Sequence, residues 1–375
     1  MKKKIIPVNR PKIYSPNNPE IKKALRDKWI SGDGPVIEKF EKKFKGIIKK
    51  NYAIAVSNGT SALEIALASL KLKKGSKVIL PNLTIVSCLN AIIRNNLKPI
   101  FVDVSVDDFN ICINDLKKKI SSDVKALIMV HTYGLAANIQ EINKLKKRYN
   151  FKIIEDCAEG LGLKHKKRYL GNFGDLSTFS FYSNKLITTG EGGCILTDNK
   201  NYYQNCLKLR NLSFGSIERF KHEDLSGNYR ISSLQCAYGL SELKNFNKNI
   251  KLKKKIGTFY NKNLKDVSFL KTPLKKNFTS SNIYWVYPLI IKKNKKISKQ
   301  HFQKFLKKNG IITRDFFFPL SEQPFLKKFK IKIRKFKNSN YLYKNGIYIP
   351  SGLGNTFAEF KKVCEVIKNY DKKYS

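Results

Sequence analysis

The 375-residue chain carries 74 Lys and Arg against 28 Asp and Glu, a formal charge of +46, with 42% hydrophobic and 12% aromatic residues. That apolar content can bury a large core, most simply as two domains, and excludes a disordered chain. No apolar run approaches the roughly 20 residues that span a bilayer, and the basic start MKKKIIPVNRP lacks a signal peptide's apolar centre; the expected setting is cytoplasmic, without a membrane partner.

The charge invites a nucleic-acid reading, but its make-up argues against it. Only 10 of the 74 basic residues are arginine, and the 64 lysines are spread along the whole length. Base readout and stacking favour arginine interleaved with aromatics, and no such block occurs. We read the excess as a lysine-biased composition, of the kind an A+T-rich genome produces, with no nucleic-acid partner. Its diffuse field favours an anionic small substrate. The seven cysteines are scattered without a CxxC pair, so they are expected to be reduced core residues, with no metal site.

In chain order, short apolar runs alternate with helical patterns from residue 50 to 200. The expected strands are YAIAVS (52–57), KVILP (77–81), PIFVDV (99–104), ALIMVH (126–131), FKIIEDC (151–157), LSTFSF (176–181) and GCILT (193–197). Helical stretches such as SALEIALASLKL and ANIQEINKLKKRYN lie between them. This alternation predicts an α/β fold: a mainly parallel seven-stranded sheet with helices on both faces. Ligands of such folds gather at the carboxyl ends of the strands.

Beyond residue 245 the texture changes. ELKNFNKNIKLKKKIGTFYNKNLKD reads as one long exposed helix with a lysine-rich face, and NIYWVYPLIIKK and GIITRDFFFP read as strands flanking the helical KQHFQKFLKKNG. The expected organisation is a large domain over residues 1–248, with the N-terminal segment, and a smaller α+β domain over 249–375.

One lysine stands apart. Lys185, in SFYSNKLITTGEGG (180–193), follows an alternating strand pattern and precedes a glycine-rich turn, whereas most other lysines sit in solvated runs. A reactive amine needs burial or a nearby cation. If it holds a cofactor aldehyde, an acid is needed at a ring nitrogen and a glycine-rich helix start at a phosphate. Asp156 ends the apolar run IIED, and SNGTSALEIAL (57–67), with Gly59, supplies such a helix start, while Ser180 offers another hydroxyl. Taken singly these have plain readings: NGTS as a helix cap, Asp156 as a strand-end carboxylate, TTGEGG as a turn.

As a set they resemble the DegT/DnrJ/EryC1/StrS sugar aminotransferases, a fold-type-I pyridoxal phosphate family. The resemblance runs through WISGDGPVIEKFE (29–41), YAIAVSNGTSAL, KPIFVDV, MVHTYG, IIEDCAEGLG, FGDLSTFSFYSNKLITTGEGG, LSGNYRISSLQCAYG (225–239) and GIITRDFFFPL (310–320). It implies that Lys185 carries pyridoxal 5'-phosphate and shuttles protons, that Asp156 pairs with the ring nitrogen, and that Glu159 lies near the ring hydroxyl. It places Gly59, Thr60, Ser61 and Ser180 at the phosphate. Asn228 matches a residue that reaches the neighbouring subunit's phosphate, and Arg230 one near the amino donor's carboxylate, which implies a homodimer with shared active sites. Some dehydratases of the family have histidine in place of the lysine, so Lys185 favours amino transfer.

Three positions depart from the family pattern. Ile85 stands where an aromatic residue commonly stacks on the ring, LAANIQ follows HTYG in place of a proline and an aspartate, and Ser321 replaces a histidine at the expected sugar pocket. LRNLSFGSIERFKHEDLSGNYR (209–230), with His222, is most similar to the branch acting on a GDP-linked 4-keto-6-deoxy sugar. The resemblance thus implies L-glutamate and a nucleotide-linked keto sugar as substrates, with a UDP- or dTDP-linked sugar, or a non-catalytic cofactor-binding module, as alternatives. His131 is expected to be a packed, hydrogen-bonded histidine, and His165 and His301 surface residues. Tyr284, Trp285, Phe316 and Phe317 are expected in the second-domain core, with Phe317 also a candidate for the substrate pocket.

Overall fold

Each of the seven strands expected between residues 50 and 200 forms, within two residues of its expected ends, whereas NIYWVYPLIIKK and GIITRDFFFP supply only the shorter Tyr287–Ile291 and Arg314–Asp315. In the computed structural model, which describes residues 5–14, 17–215, 217–222, 224–278, 280–292 and 297–374, the seven are β1 (Tyr52–Val56), β2 (Lys77–Pro81), β3 (Lys98–Val102), β4 (Val124–Val130), β5 (Lys152–Asp156), β6 (Leu176–Ser180) and β7 (Gly193–Thr197). They make one sheet in the order β1-β7-β6-β5-β4-β2-β3. All neighbours are parallel except those of β7, which runs antiparallel to both β1 and β6.

Alternation along these strands divides the core in two. Ala53, Leu127, Met129, Ile153, Phe179 and Leu196 face one apolar cluster, while Ile54, Ala126, Ile128, Ile154, Leu176 and Ile195 face the other. Side chains at successive positions point to opposite faces, so both faces need covering. Helices Pro35–Ile48, Ile139–Tyr149 and Ser233–Lys244 cover the first, and Gly59–Ser69 and Val86–Arg94 the second.

A second, antiparallel sheet comprises β8 (Leu270–Lys271), β9 (Tyr287–Ile291), β10 (Arg314–Asp315) and β11 (Gly346–Ile349), in the order β8-β9-β11-β10. Helices Phe246–Asn263, Lys299–Lys308 and Phe357–Tyr374 pack on it through Tyr260, Phe302, Phe360 and Ile367. The start of the described chain joins this sheet's surroundings: Ile6 bridges to Ile311, and the Arg10 guanidinium meets Glu359 at 3.0 Å.

Two expectations change. The lysine-rich stretch from Glu242 is not one exposed helix. Its first residues end Ser233–Lys244, and Asn245, at φ −99° and ψ 6°, interrupts the helix before Phe246–Asn263 begins. The second helix buries Phe246, Asn249, Lys253, Ile256 and Tyr260 along one face. His165 is also no surface residue; it is 5% exposed, edge-on to Phe173 at 5.2 Å. His301 is exposed, with Nδ1 2.7 Å from Tyr370 Oη. Six of the seven free cysteines are buried and Cys112 is partly so. Among the described residues no helix is long and apolar enough to cross a membrane. Residues 1–4 of the basic start, and Ser216 and Glu223 within 209–230, lie outside the described residues.

Candidate active site

The carboxyl ends of β4, β5 and β6 open into a cleft of about 310 Å³. Asp156 ends β5 and is 2% exposed; its Oδ1 accepts the Ala158 amide at 3.0 Å. Glu159, one turn further on, is 7% exposed, and its Oε2 accepts the Tyr133 amide at 2.8 Å. Lys185 follows β6, and its Nζ lies 3.9 Å from the Trp285 ring centroid. Trp285 is itself fixed by its indole N–H, which donates to the Asn184 carbonyl at 3.1 Å.

Burial sets the electrostatics here, because withdrawal from water penalises every charged form. It raises Asp156 above the ordinary carboxylate range, against the Ala158 amide and the Lys185 cation, which lower it. It raises Glu159 to about 7, although Lys185 and the Tyr133 amide pull it down. It lowers Lys185, against the two acids, which raise it. An amine held down in this way is available as a base or nucleophile.

At the opposite end of the cleft, helix Gly59–Ser69 starts under an Asn58 cap whose Oδ1 accepts the Ser61 amide at 2.8 Å. NGTS is therefore a helix cap, and the same helix start faces the cleft through Gly59 and Thr60, where its amides would attract negative charge. A Cβ on Gly59 would lie 2.9 Å from Ser180 Cβ, so glycine lets β6 and the helix start share one cradle. The Thr60 hydroxyl pairs with Ser87 at 2.7 Å, and Ser180 also lines the cleft. Thr178 Oγ1 is buried there without a hydrogen-bond partner. Ile85, 40% exposed, and half-buried Phe317 complete the lining from the sequence-derived candidates.

Other candidates lie elsewhere. Ser61 is 5% exposed, with its hydroxyl 3.0 Å from Ser57 Oγ, and does not line the cleft. Ser321 is a correction: it is fully buried, its amide donating to Asn82 Oδ1 at 2.8 Å and its hydroxyl to the Arg334 carbonyl at 2.5 Å, so it presents nothing to a sugar. Asn228 and Arg230 run beside the end of β1, where Arg230 bridges to Val56 and its guanidinium donates to Asn211. His222 is exposed against Phe214, with Nδ1 2.7 Å from the Leu212 carbonyl. None of these three lines this chain's own cleft.

Sequence reasoning missed several contributors. Trp285, Arg314 and Tyr348 reach the cleft from the second sheet and its approaches. Only Arg314 carried a signal, as one of ten arginines in a lysine-dominated chain. His131 is packed as expected. Its Nδ1 accepts the Ala137 amide at 3.1 Å and its Nε2 donates to Glu155 Oε1 at 3.1 Å. Donor atoms of His131, Glu155 and Cys157 lie within 4.8 Å of one another. The Glu155 oxygens, however, also accept amides of Gly171, Phe173 and Gly174, so the group is committed to holding loops together.

Residues 11–368 match the DegT/DnrJ/EryC1/StrS aminotransferase family. The chain belongs to this family. It is 34% identical to the GDP-perosamine synthase of Escherichia coli O157:H7 and 32% identical to that of Vibrio cholerae, each alignment covering 98% of this chain and 99% of the relative. A solved E. coli GDP-4-keto-6-deoxy-D-mannose-3-dehydratase with bound hydrated PLP superimposes with a TM-score of 0.88 at 25% identity, covering 97% of this chain and all of that one. The protein is thus a pyridoxal phosphate-dependent sugar aminotransferase of fold type I.

The residues present fit that cofactor. The cleft brings together two carboxylates, Asp156 and Glu159, and one amine, Lys185, which would suit a ring nitrogen and an aldehyde. The Gly59 helix start, Thr60, Thr178 and Ser180 contribute amides and hydroxyls that would suit a phosphate. When bound, pyridoxal phosphate supplies an aldehyde to carry the amino group and a protonated ring to draw in electrons.

A pH dependence follows from Glu159. Between its ordinary 4.5 and its folded value of about 7, the folded cofactor-free chain keeps a proton that the unfolded chain has released. This stabilisation is full below 4.5 and lost as pH rises through 7. Glu159→Gln should therefore flatten the fall in stability over that window by up to about 3 kcal/mol, read from urea midpoints at successive pH values. An unchanged profile would mean that Glu159 is ionised throughout.

Proposed function

We propose that the protein transfers the amino group of L-glutamate to C4 of GDP-4-keto-6-deoxy-D-mannose, giving GDP-perosamine and 2-oxoglutarate. The observation that carries this reading is the 32–34% identity to two GDP-perosamine synthases over 98% of the chain. The presence of lysine at 185, lining the cleft, supports transfer rather than dehydration. Such a product serves deoxyamino-sugar biosynthesis for a polysaccharide such as an O-antigen. A cytoplasmic setting is consistent with the free cysteines.

In this reading Lys185 is the base that removes the α-proton of glutamate and later delivers a proton to sugar C4. Its lowered pKa suits both steps, since the unprotonated amine accepts and the ammonium donates. Asp156 keeps the ring nitrogen protonated, and Glu159 accepts near the ring hydroxyl. Ile85 covers the ring by apolar packing, giving up aromatic stacking of about 0.5–1.5 kcal/mol. Phe317, stacked on Tyr133 at 5.7 Å, forms the wall on the sugar side, and Arg314 supplies a cation to an anionic substrate group.

The active site is completed across a homodimer. Asn228, Arg230 and His222 stand outside this chain's cleft, which accords with service at the partner's site. The exposed apolar residues nearby, Ile217 at 96% and Leu225 at 102%, also suit an interface.

Three measurements test this reading. Borohydride reduction and peptide mapping should place the pyridoxyl group on Lys185, and a label on another lysine overturns the assignment. Mixing Lys185→Ala with Asn228→Ala protomers should regenerate activity in hybrid dimers; hybrids no better than folded, dimeric parents refute the shared site. Comparing kcat/KM for GDP-, UDP- and dTDP-linked 4-keto-6-deoxy sugars should favour GDP by at least about tenfold. Preference for another nucleotide overturns the substrate and leaves the aminotransferase chemistry intact.

A further inference from the structure

Asp156 is held from two sides, and one holder is a thiol. While Oδ1 accepts the Ala158 amide at 3.0 Å, Oδ2 lies 3.5 Å from Cys88 Sγ, within hydrogen-bonding reach of a sulfur donor. Cys88 is fully buried and Asp156 2% exposed, so water does not compete for this contact. Burial, and then the neighbouring Asp156 charge, push the Cys88 thiol well up, which keeps its proton on sulfur as a donor. Thr84, 2% exposed, lines the cleft four residues before Cys88. The thiol and the carboxylate thus stand as a pair beside the cleft.

The backbone fixes this pair. Cys88 occupies the first turn of helix Val86–Arg94, its amide donating to the Ile85 carbonyl at 3.2 Å. Thr84 and Ile85 lead directly into that turn. The segment that puts Ile85 over the cofactor position therefore also delivers the thiol to Asp156. A thiol is a weak donor, so it orients a carboxylate while leaving most of its charge for a stronger partner.

We propose that Cys88 is a positioning residue for cofactor binding: its S–H bond to Asp156 Oδ2 sets the carboxylate in the orientation that receives the ring nitrogen. This rests on the pairing of Asp156 with the ring nitrogen proposed above. A merely structural Cys88 would fill space in the apolar cluster that contains it, and would act on any ligand of the same shape.

The test compares pyridoxal phosphate with 1-deazapyridoxal phosphate, in which C–H replaces the ring nitrogen, binding to the full-length cofactor-free chain. Cys88→Ala should weaken pyridoxal phosphate binding by about five- to tenfold, the scale of one ordinary net hydrogen bond, as befits a weak thiol donor, and deaza-analogue binding by less than about twofold. Cys88→Ser, which keeps a donor, should restore pyridoxal phosphate affinity to within about threefold of wild type. The pH midpoint of the visible cofactor band should move in Cys88→Ala and return in Cys88→Ser. Equal losses for both ligands would reduce Cys88 to packing, and no loss for either would remove its role; both overturn the proposal. A wild-type chain that binds both ligands equally well would instead overturn the Asp156 pairing on which the proposal rests.

Discussion

Asp156 and Glu159 are buried beside the half-buried Lys185, and that constraint organises the site. Two acids and one amine withdrawn from water cannot all be charged without compensation. The fold supplies some of it through the Ala158 and Tyr133 amides, the Cys88 thiol and the Trp285 ring face. The remaining imbalance shows as raised acids and a lowered amine. A cofactor with a cationic ring nitrogen and a carbonyl carbon would answer both sides of it.

The other face of β5 carries the opposite device. Strand alternation sends Glu155 away from Asp156, into a site where His131 and the amides of Gly171, Phe173 and Gly174 satisfy it. Burial alone would raise Glu155, but these hydrogen bonds outweigh it and its pKa falls. One carboxylate is thereby locked as an anion that pins the ends of β4 and β5, while its sequence neighbour is left reactive. Adjacent residues of like chemistry acquire different roles because the pleat gives them different surroundings.

Lysine bias is absorbed differently inside and outside. With 28 acids for 74 bases, most basic residues cannot be paired and remain in water, where their mutual repulsion is screened. Where lysines are buried they have partners: Lys50 meets Asp198 at 2.7 Å, Lys299 meets Asp315 at 3.0 Å, and Lys253 donates to the Ser351 carbonyl at 2.7 Å. The surplus leaves the chain with a net charge of +46, a diffuse field that favours anionic small molecules.

What the sequence determined by itself was whatever local pattern encodes. Short, nearly continuous apolar runs placed seven strands because a sheet covered on both faces leaves little choice of residue, and strand ends then pointed to Gly59, Asp156, Ser180 and Lys185 because parallel sheets gather ligands there. Likeness of whole segments carried the family. Only the tertiary structure decided which side chains converge. Ser321 turned inward because Asn82 and Arg334 engage its polar groups, and His165 was covered by packing against Phe173. Trp285, Arg314 and Tyr348 entered the cleft from residues more than a hundred positions away, and Cys88 found Asp156 across 68. Such contacts depend on how distant segments cross in space, and a hydrogen-bond partner is chosen by that crossing rather than by any periodicity in the chain.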